Sequence, residues 1–249
     1  MEANAFDSVA AFYEVFAHSE ERLRREEPLL RKVLAQAPGK QVLDVACGTG
    51  LHAALMSEMG AQVTAMDISP DMIREAETRR PHPNIQYAVC DMRAVCGGPW
   101  DLALCLGNSL SLLPEPEDLR QTFDAIAVAL APHGLFLLQV LNYQSQAAQQ
   151  PRHRVERKRV DDIDVVAVKN LVPHGDRTLL SLTFLATDPG GAVKTFSETA
   201  LLRNLDRERV LDTAAAAGFE AAAVYGGFDG EPYAAADSPD LICLLRKLA

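Results

Sequence analysis

The sequence lacks the features that mark a membrane-spanning, zinc-binding or secreted protein. No apolar run reaches the roughly 18 residues of a transmembrane helix, and the nearest, residues 125–141, is broken at Pro132-His133-Gly134. The N-terminus has no basic start followed by an apolar stretch, so we expect no secretory signal. The five cysteines form no CxxC pair, which disfavours a zinc site and predicts no bound metal. Their odd number favours reduced, mostly buried thiols in a cytoplasmic protein.

An excess of positive charge is also missing. With 24 basic and 34 acidic residues the net charge is −10, which argues against nucleic acid and anionic membranes as partners. The sharpest basic run, residues 152–159 (RHRVERKR), is followed by Asp161, Asp162 and Asp164, so we interpret it as a solvated strand face rather than an RNA-binding strip. We therefore expect a small-molecule partner, neutral or amine-bearing, and both a monomer and a homodimer stay open.

Most of the chain alternates between short apolar segments and helical patterns. Residues 1–36 carry apolar side chains at helical spacing, and Pro38-Gly39 ends this part. Buried strands between amphipathic helices predict an α/β fold with a doubly wound, mostly parallel, seven-stranded, Rossmann-like sheet. The first five strands are predicted at residues 41–46, 62–66, 85–89, 100–106 and 135–141, with helices at 51–59, from Ser69-Pro70-Asp71 onward and at 118–130.

The pattern changes after about residue 142. Strand-like alternation at residues 165–172, 179–187 and 193–202, separated by strong turn signals, predicts an antiparallel β-meander. We expect the last predicted strand, residues 241–246, to rejoin the main sheet, so that the meander is an insertion. The predicted divisions are an N-terminal helical lid (1–36), a Rossmann-like core (37–146), an antiparallel β insertion over the active site (147–204) and a C-terminal completion of the core sheet (205–249).

The most informative segment is VLDVACGTG at residues 42–50, where a predicted strand enters a glycine-rich turn that opens a helix. Such a turn lets a ligand lie against bare backbone beside a helix N-terminus. Ligands of doubly wound sheets bind at the carboxyl ends of the strands, and three acids mark these ends: Asp44, Asp67 and Asp91. Asp67, at the end of the second strand, is well placed to accept hydrogen bonds from both hydroxyls of a ribose.

A dinucleotide site is one alternative, because Gly48-x-Gly50-x-x-Ala53 matches the G-x-G-x-x-G/A pattern. Asp44 argues against it, since a carboxylate four residues before the glycine pair suits an ammonium group and repels a pyrophosphate. No second nucleotide-binding half is evident in the sequence. His52, just inside the following helix, is expected to face solvent or the helix start.

Four segments, in their order and spacing, resemble the class I S-adenosylmethionine-dependent methyltransferases: VLDVACGTG, VTAMDIS, YAVCDMR and WDLALCLGNSLSLL. The resemblance covers most of the chain. Three features resemble the glycine and sarcosine N-methyltransferases: CLGNSL, the Asn142-Tyr143 pair and a late GGFDG segment at residues 226–230. FDSVAAFYEVF and the meander look similar to the amino-sugar N,N-dimethyltransferases. The resemblance implies S-adenosyl-L-methionine as the cofactor, bound by the core at residues 37–146.

The resemblance also implies roles for residues near the methionine end of that cofactor. Asp44 would support its ammonium group, which the Leu106 carbonyl would also meet. Ala46 and Gly48 would pass close to the methionine part, and Ala46 departs from the glycine that many members have. Tyr13, in the N-terminal lid, would cover the cofactor.

At the nucleoside end, Asp67 would hold the ribose hydroxyls. Ile68 would lie against the adenine, Asp91 would accept from its amino group, and Met92 would pack on the ring or hydrogen-bond to it through the backbone.

The acceptor side is less defined, and no catalytic residue is identified. Gln144 stands where the glycine methyltransferases have an acid, which weakens the transfer of their substrate to this chain. Polar residues in the surrounding segments are the candidates for the acceptor site: Asn108, Asn142, Tyr143, His174 and Tyr233.

The predicted function is N-methylation of a small molecule by direct in-line transfer, because a nitrogen nucleophile need only arrive neutral. O- or C-methylation of a small metabolite, for which a general base is commonly used, is the alternative within this class. A NAD-dependent oxidoreductase and a non-catalytic S-adenosylmethionine-binding protein are the alternatives outside it.

Overall fold

The structure is a computed structural model that describes residues 7–17, 19–160 and 162–248, folded around two β-sheets. The strands are β1 (Gln41–Val45), β2 (Gln62–Asp67), β3 (Ile85–Val89), β4 (Trp100–Cys105), β5 (Leu130–Leu141), β6 (Arg152–Val160), β7 (Ile163–His174), β8 (Arg177–Thr187), β9 (Val193–Arg203), β10 (Phe219–Tyr225) and β11 (Asp240–Lys247). The α-helices are α1 (Glu14–Ala17), α2 (Ser19–Gln36), α3 (Leu51–Glu58), α4 (Pro70–Arg79), α5 (Pro116–Ala129) and α6 (Arg207–Ala216).

The larger sheet has the strand order β10–β11–β5–β4–β1–β2–β3. Strands β1 to β5 run parallel, and β11 lies antiparallel between β5 and β10. The predicted mostly parallel, seven-stranded sheet and the return of the last strand to it are therefore confirmed. Because the five parallel strands share a direction, the residues that follow them meet at one edge.

Two apolar clusters cover the two faces of this sheet. Leu43 packs with α5 and α6 on one face, in a cluster that contains Phe123. Val42 packs with α2, α3 and α4 on the other face, in a cluster that contains Met56. Since neighbouring residues of β1 are buried on opposite faces, residues 42–45 are buried without interruption rather than alternately.

The second sheet is antiparallel, in the order β6–β7–β8–β9. The sequence analysis predicted β7, β8 and β9 as the meander, whereas the structure adds β6, which is the basic run at residues 152–159. Most of β6 is exposed, as its interpretation as a solvated face requires. With Val155 and Val160 as its apolar residues, β6 lacks the alternation that identifies a half-buried strand.

The N-terminal segment packs against the second sheet. It begins with a 3₁₀-helix (Asp7–Phe12), and Val9 is fully buried. The Phe12 ring lies 5.3 Å from that of Phe196 and 6.2 Å from that of Phe184, measured between ring centroids. The rest of the predicted lid, residues 1–6 and His18, lies outside the described residues. Within residues 7–17, 19–160 and 162–248, no helix is long and apolar enough to span a membrane.

Candidate active site

The turn between β1 and α3 forms the centre of the site. Ala46, Gly48 and Gly50 have positive φ angles of 55°, 55° and 79°. A Cβ on Gly50 would lie 2.6 Å from the Tyr87 hydroxyl, so a side chain there would collide with β3. A Cβ on Gly48 would meet no described atom within 4 Å. A ligand can therefore approach the bare main chain at Gly48.

Asp67, the last residue of β2, fastens this turn to the second strand. One carboxylate oxygen accepts a hydrogen bond from the Gly48 N–H (2.8 Å), and the other accepts one from the Ser69 N–H (2.9 Å). A carboxylate oxygen can accept more than one hydrogen bond. Since Asp67 also lines a cavity, it has the capacity to accept hydrogen bonds from ligand hydroxyls.

Asp91, two residues after β3, is engaged by Arg93. The backbone and side-chain N–H groups of Arg93 donate to its carboxylate oxygens over 2.6–3.1 Å. Arg93 also donates to Asp118 (2.8 Å). The hydrogen bonds from Arg93 hold the pKa of Asp91 below its usual range. Asp91 is therefore a fixed, ionised acceptor.

A cavity of about 220 Å³ lies at these strand ends, and we call it the smaller cavity. The structure brings together there seven of the nine residues predicted to bind the cofactor. Burial raises the pKa of the hydroxyl of one of them, Tyr13. The seven are Tyr13, Ala46, Gly48, Asp67, Ile68, Asp91 and Met92.

The other two, Asp44 and Leu106, are buried and do not line this cavity. The Leu106 carbonyl already accepts a hydrogen bond from the Ser109 hydroxyl (2.9 Å). Asp44 is only 1% exposed, and its Oδ2 has no hydrogen-bond partner among the described residues. Burial, and then the nearby charge of Asp67, raise the pKa of Asp44 to about 7. A cation near this oxygen would relieve both penalties.

A second cavity of about 990 Å³, the larger cavity, adjoins the first, and Tyr13, Gly107 and Leu112 line both. Its other walls come from α2, from the loops after β5 and before β11, and from one face of the second sheet. The second sheet thus contributes one wall of this cavity.

Helix α2 contributes a buried charge cluster that the sequence analysis missed. Arg22 Nε donates to Glu26 (2.8 Å), and His52 Nε2 lies 2.7 Å from the other Glu26 oxygen. Of the two expectations for His52, solvent or the helix start, the first is wrong: its side chain is 7% exposed, because α3 packs against α2 and Glu26 lies beside the ring. Arg22 Nη2 reaches to within 3.6 Å of a Cβ built on Gly107. The i, i+4 spacing of Arg22 and Glu26 was the available signal, but α2 contains several such pairs.

Among the acceptor candidates, Asn108 lines the larger cavity. Its amide oxygen accepts hydrogen bonds from the Leu141 N–H (2.8 Å) and the Ser111 hydroxyl (3.0 Å), and its amide nitrogen donates to Tyr143 (2.9 Å). Tyr143 is buried and lines neither cavity. These two residues therefore join β5 to the turn after β4.

The other three candidates line neither cavity. Asn142 is buried and donates to the backbone carbonyls of Ala235 and Ser238. The Tyr233 hydroxyl donates to Asn142 (2.9 Å), and His174 is exposed at the turn between β7 and β8. The structure does not bring this set together.

The five cysteines are free thiols: Cys47, Cys105 and Cys243 are buried, Cys90 is half-buried and Cys96 is exposed. Among the residues that the structure describes, no group of three or more His, Cys, Asp or Glu side chains is arranged to hold a metal ion.

The chain resembles solved methyltransferases over nearly its whole length. An S-adenosylmethionine-dependent methyltransferase from Clostridium acetobutylicum matches with a TM-score of 0.81 and 16% identity, covering 98% of this chain and 99% of the other. The sugar N-methyltransferase KedS8 from Streptoalloteichus matches with a TM-score of 0.77 and 24% identity, covering 95% and 93%. The fold is thus that of the class I S-adenosylmethionine-dependent methyltransferases, as the sequence predicted.

Sequence comparison identifies the same class. Residues 42–134 match the methyltransferase domain family. A ubiquinone biosynthesis O-methyltransferase from Xanthomonas campestris is 34% identical over 110 residues, 42% of this chain and 44% of its own length. Glycine N-methyltransferase from Oryctolagus cuniculus is 33% identical over 129 residues, 45% and 44% of the two chains. The matches span less than half the length of these relatives, so what the chain shares with them in sequence is the methyltransferase-like segment and not the whole protein.

Proposed function

We propose that this protein uses S-adenosylmethionine to methylate a small molecule, most simply on nitrogen and by direct in-line transfer. The observation that carries the proposal is the smaller cavity, where the open backbone of Gly48, the carboxylate of Asp67 and that of Asp91 face one space with Tyr13. The domain match at residues 42–134 spans the strands and turns that build this cavity.

The charges around the glycine turn fit this cofactor. Bound S-adenosylmethionine supplies a methyl group on a sulfonium, which becomes a neutral thioether when the methyl is transferred. The unpartnered Asp44 oxygen, next to Asp67, favours a cationic ligand such as an α-ammonium group. The same negative charge disfavours the pyrophosphate of a dinucleotide.

We assign the predicted cofactor residues accordingly. Ala46, Gly48 and the Leu106 carbonyl would serve the methionine part and Asp67 the ribose, while the adenine would lie among Ile68, Asp91 and Met92. Tyr13 would close the site and exclude water.

Arg22 extends this assignment. Its side chain reaches Gly107, where the two cavities meet, and Glu26 holds it there. A guanidinium at this place would pair with the carboxylate of the methionine part. His52 would act through Glu26 as a positioning residue.

The lining of the larger cavity favours nitrogen as the nucleophile. Among the described residues that line it there is no histidine, and two of its four carboxylates are engaged by neighbouring side chains, Glu26 by Arg22 and His52 and Asp240 by Gln139. A neutral amine needs no general base, whereas a hydroxyl or carbon acid usually does. The relatives include both a glycine N-methyltransferase and an O-methyltransferase, so O- or C-methylation is the second candidate.

The predicted divisions describe how the parts would cooperate. Residues 1–36 would close over the cofactor bound by the core at 37–146, residues 147–204 would roof the acceptor, and residues 205–249 would complete the sheet.

The test is a calorimetric titration with S-adenosylmethionine, S-adenosylhomocysteine and NAD, followed by a turnover screen with small amines, phenols and carbon acids. We expect both adenosyl compounds to bind, NAD not to bind, and S-adenosylhomocysteine to be produced with an amine. Binding without turnover of any acceptor would favour a non-catalytic binding protein, and NAD binding would favour an oxidoreductase.

A further inference from the structure

The second sheet provides one wall of the larger cavity. Cationic side chains lie close together on this wall. Arg152 and Arg154 of β6 line the cavity, and so does Lys169 of β7, which is the cross-strand partner of Arg154. All three belong to the chain after residue 134 and thus lie outside the matched methyltransferase domain. We call this group the cationic roof.

Two of the three cations have unused hydrogen-bonding capacity. Arg154 donates to Glu156 (2.5 Å), which neutralises it in part. The Nε of Arg152 is buried without a hydrogen-bond partner among the described residues, and no described residue forms a hydrogen bond or ion pair with the Lys169 ammonium. A buried donor such as the Arg152 Nε normally has a partner, and the half-buried Lys169 lines the same cavity, so both side chains are open to a ligand.

The surroundings of Lys169 disfavour its own charge. Burial lowers its pKa, and the charges that act on it most, those of Arg154, Arg22 and Arg152, are all positive and lower it further. An anion in the cavity would reverse this effect.

Acidic residues line the cavity elsewhere, away from the roof. Glu21 and Glu26 lie on α2, and Asp237 and Asp240 lie at the start of β11 and in the loop before it. Glu26 is engaged by Arg22 and His52, and Asp240 accepts a hydrogen bond from Gln139 (2.7 Å). Because Arg22 and Arg25 also line the cavity, the acids on α2 lie among cations, whereas the described lining residues of the second sheet include cations and no acid.

Leucines continue the cationic roof across the sheet. Leu182 pairs with Lys169 across the strands, and Leu171 pairs with Arg152 and with Leu180. These leucines line the same cavity, together with Leu202. An apolar body could lie on the leucines while its charged end met the cations.

We propose that the methyl acceptor is an organic anion, a carboxylic acid or a phosphate ester with an apolar body, whose anionic group is bound by Lys169 and Arg152. This inference rests on the proposed function, because it names the substrate class of that site. It adds an acidic group to the neutral or amine-bearing acceptor expected from the sequence. An amine at the other end of such a molecule would remain free to face the smaller cavity.

The test uses two matched pairs of probes: 4-phenylbutyrate with 4-phenylbutyramide, and phenyl phosphate with phenol. Each is titrated calorimetrically into the full-length protein, with and without saturating S-adenosylhomocysteine. We expect at least one acid to bind about tenfold more tightly than its neutral partner, a difference of roughly 1.4 kcal/mol. Which pair shows the larger ratio distinguishes a carboxylate from a phosphate ligand.

Lys169→Met and Arg152→Gln should each reduce that ratio to about threefold or less. Arg157→Gln is the matched control, since Arg157 lies on the same strand but is 72% exposed and paired with Asp164. Equal binding of acid and neutral probe by the wild type, no acid binding at about 10 mM, or the same loss in the control would each overturn the proposal. If the protein prefers the acids but does not bind S-adenosylhomocysteine, the anion site at the cationic roof is supported and the proposed function is rejected.

Discussion

The two cavities that meet at Tyr13, Gly107 and Leu112 are built in opposite ways. The smaller cavity is formed mainly by the ends of neighbouring parallel strands and the turns that follow them, including the open backbone at Gly48. The larger one is formed by long side chains from α2, the second sheet and two loops that are far apart in the sequence. The first depends on local sequence and parallel-strand geometry, whereas the second depends on how distant elements pack.

The largest expected effect is a loss of cofactor affinity at the smaller cavity when Asp67 is replaced. Asp67→Ala should weaken S-adenosylmethionine binding by roughly 1–3 kcal/mol, because ribose hydroxyls would lose their acceptor and the Gly48 N–H its partner. Calorimetry measures the change, and Asp71→Ala, which removes a half-buried acid of α4 that pairs with Arg74 and lines neither cavity, is the control. Binding of the acidic probes to the larger cavity should be unaffected. Unchanged affinity for the cofactor would reject the ribose assignment.

The second prediction concerns the buried cluster beside the larger cavity. Burial lowers the pKa of His52, so its neutral form stabilises the fold above the ordinary histidine pKa of about 6.5, and this stabilisation is lost as the pH falls through the folded value. His52→Ala should cost roughly 1–3 kcal/mol at pH 7, because a buried Glu26 oxygen loses its partner. It should also flatten the loss of stability between about pH 7 and pH 5.

Urea unfolding at several pH values measures both effects. His153→Ala, which removes an exposed histidine on β6, serves as the control. An unchanged pH dependence in the His52 variant would mean that other groups cause the acid sensitivity.

A smaller effect is expected at Asp91. Asp91→Ala should weaken S-adenosylmethionine binding by about 1 kcal/mol, roughly fivefold, since this carboxylate is already shared with Arg93. Arg93 would keep its contact with Asp118, which limits the disturbance of the fold. A loss as large as that of Asp67→Ala, measured in the same titration, would show that the adenine contact matters as much as the ribose contact.

The N-terminal segment that carries Tyr13, which lines both cavities, should become more protected when a cofactor analogue binds. We expect the backbone amides of residues 7–17 to exchange hydrogen more slowly when S-adenosylhomocysteine is bound, because Tyr13 gains a ligand to cover. Hydrogen exchange with mass spectrometry measures this, with the amides of β8 as an internal reference. Equal protection in both states would assign this segment to the ordinary core.

No effect is expected from the exposed face of β6. Arg157 pairs with Asp164 and Arg159 lies 3.9 Å from Asp162, so the basic run is partly neutralised. A gel-shift assay with tRNA should therefore show no binding at sub-micromolar concentration. A salt-sensitive shift, or methyl incorporation into tRNA but into none of the small acceptors, would replace the small-molecule reading.

The contrast between the cavities also explains what the sequence could predict. Gly48, Asp67 and Asp91 follow apolar strands that are recognisable individually, and parallel geometry brings the strand ends together. Nothing in the sequence marks Lys169 as a cavity residue. Its place in the cavity depends on the register of β6 against β7 and on the packing of α2 against the same cavity.

The acceptor candidates that line neither cavity illustrate a related limit of the sequence. Asn142, Tyr143 and Tyr233 are polar residues in loops near the site, but their side chains hold the backbone and each other. A loop amide that joins two segments cannot be distinguished in sequence from one that faces a ligand. His52 was misjudged for the same reason, since its partner Glu26 lies 26 residues away.

The residues common to both cavities imply thermodynamic coupling between the two ligands. If the cofactor orders Tyr13 and Leu112, the acceptor binds to side chains that are already ordered, so its binding no longer bears the entropic cost of ordering them. Linkage then requires the acceptor to raise the affinity for the cofactor by the same factor. S-adenosylhomocysteine would order the same wall, so the spent cofactor would hold an unreacted acceptor in a dead-end complex.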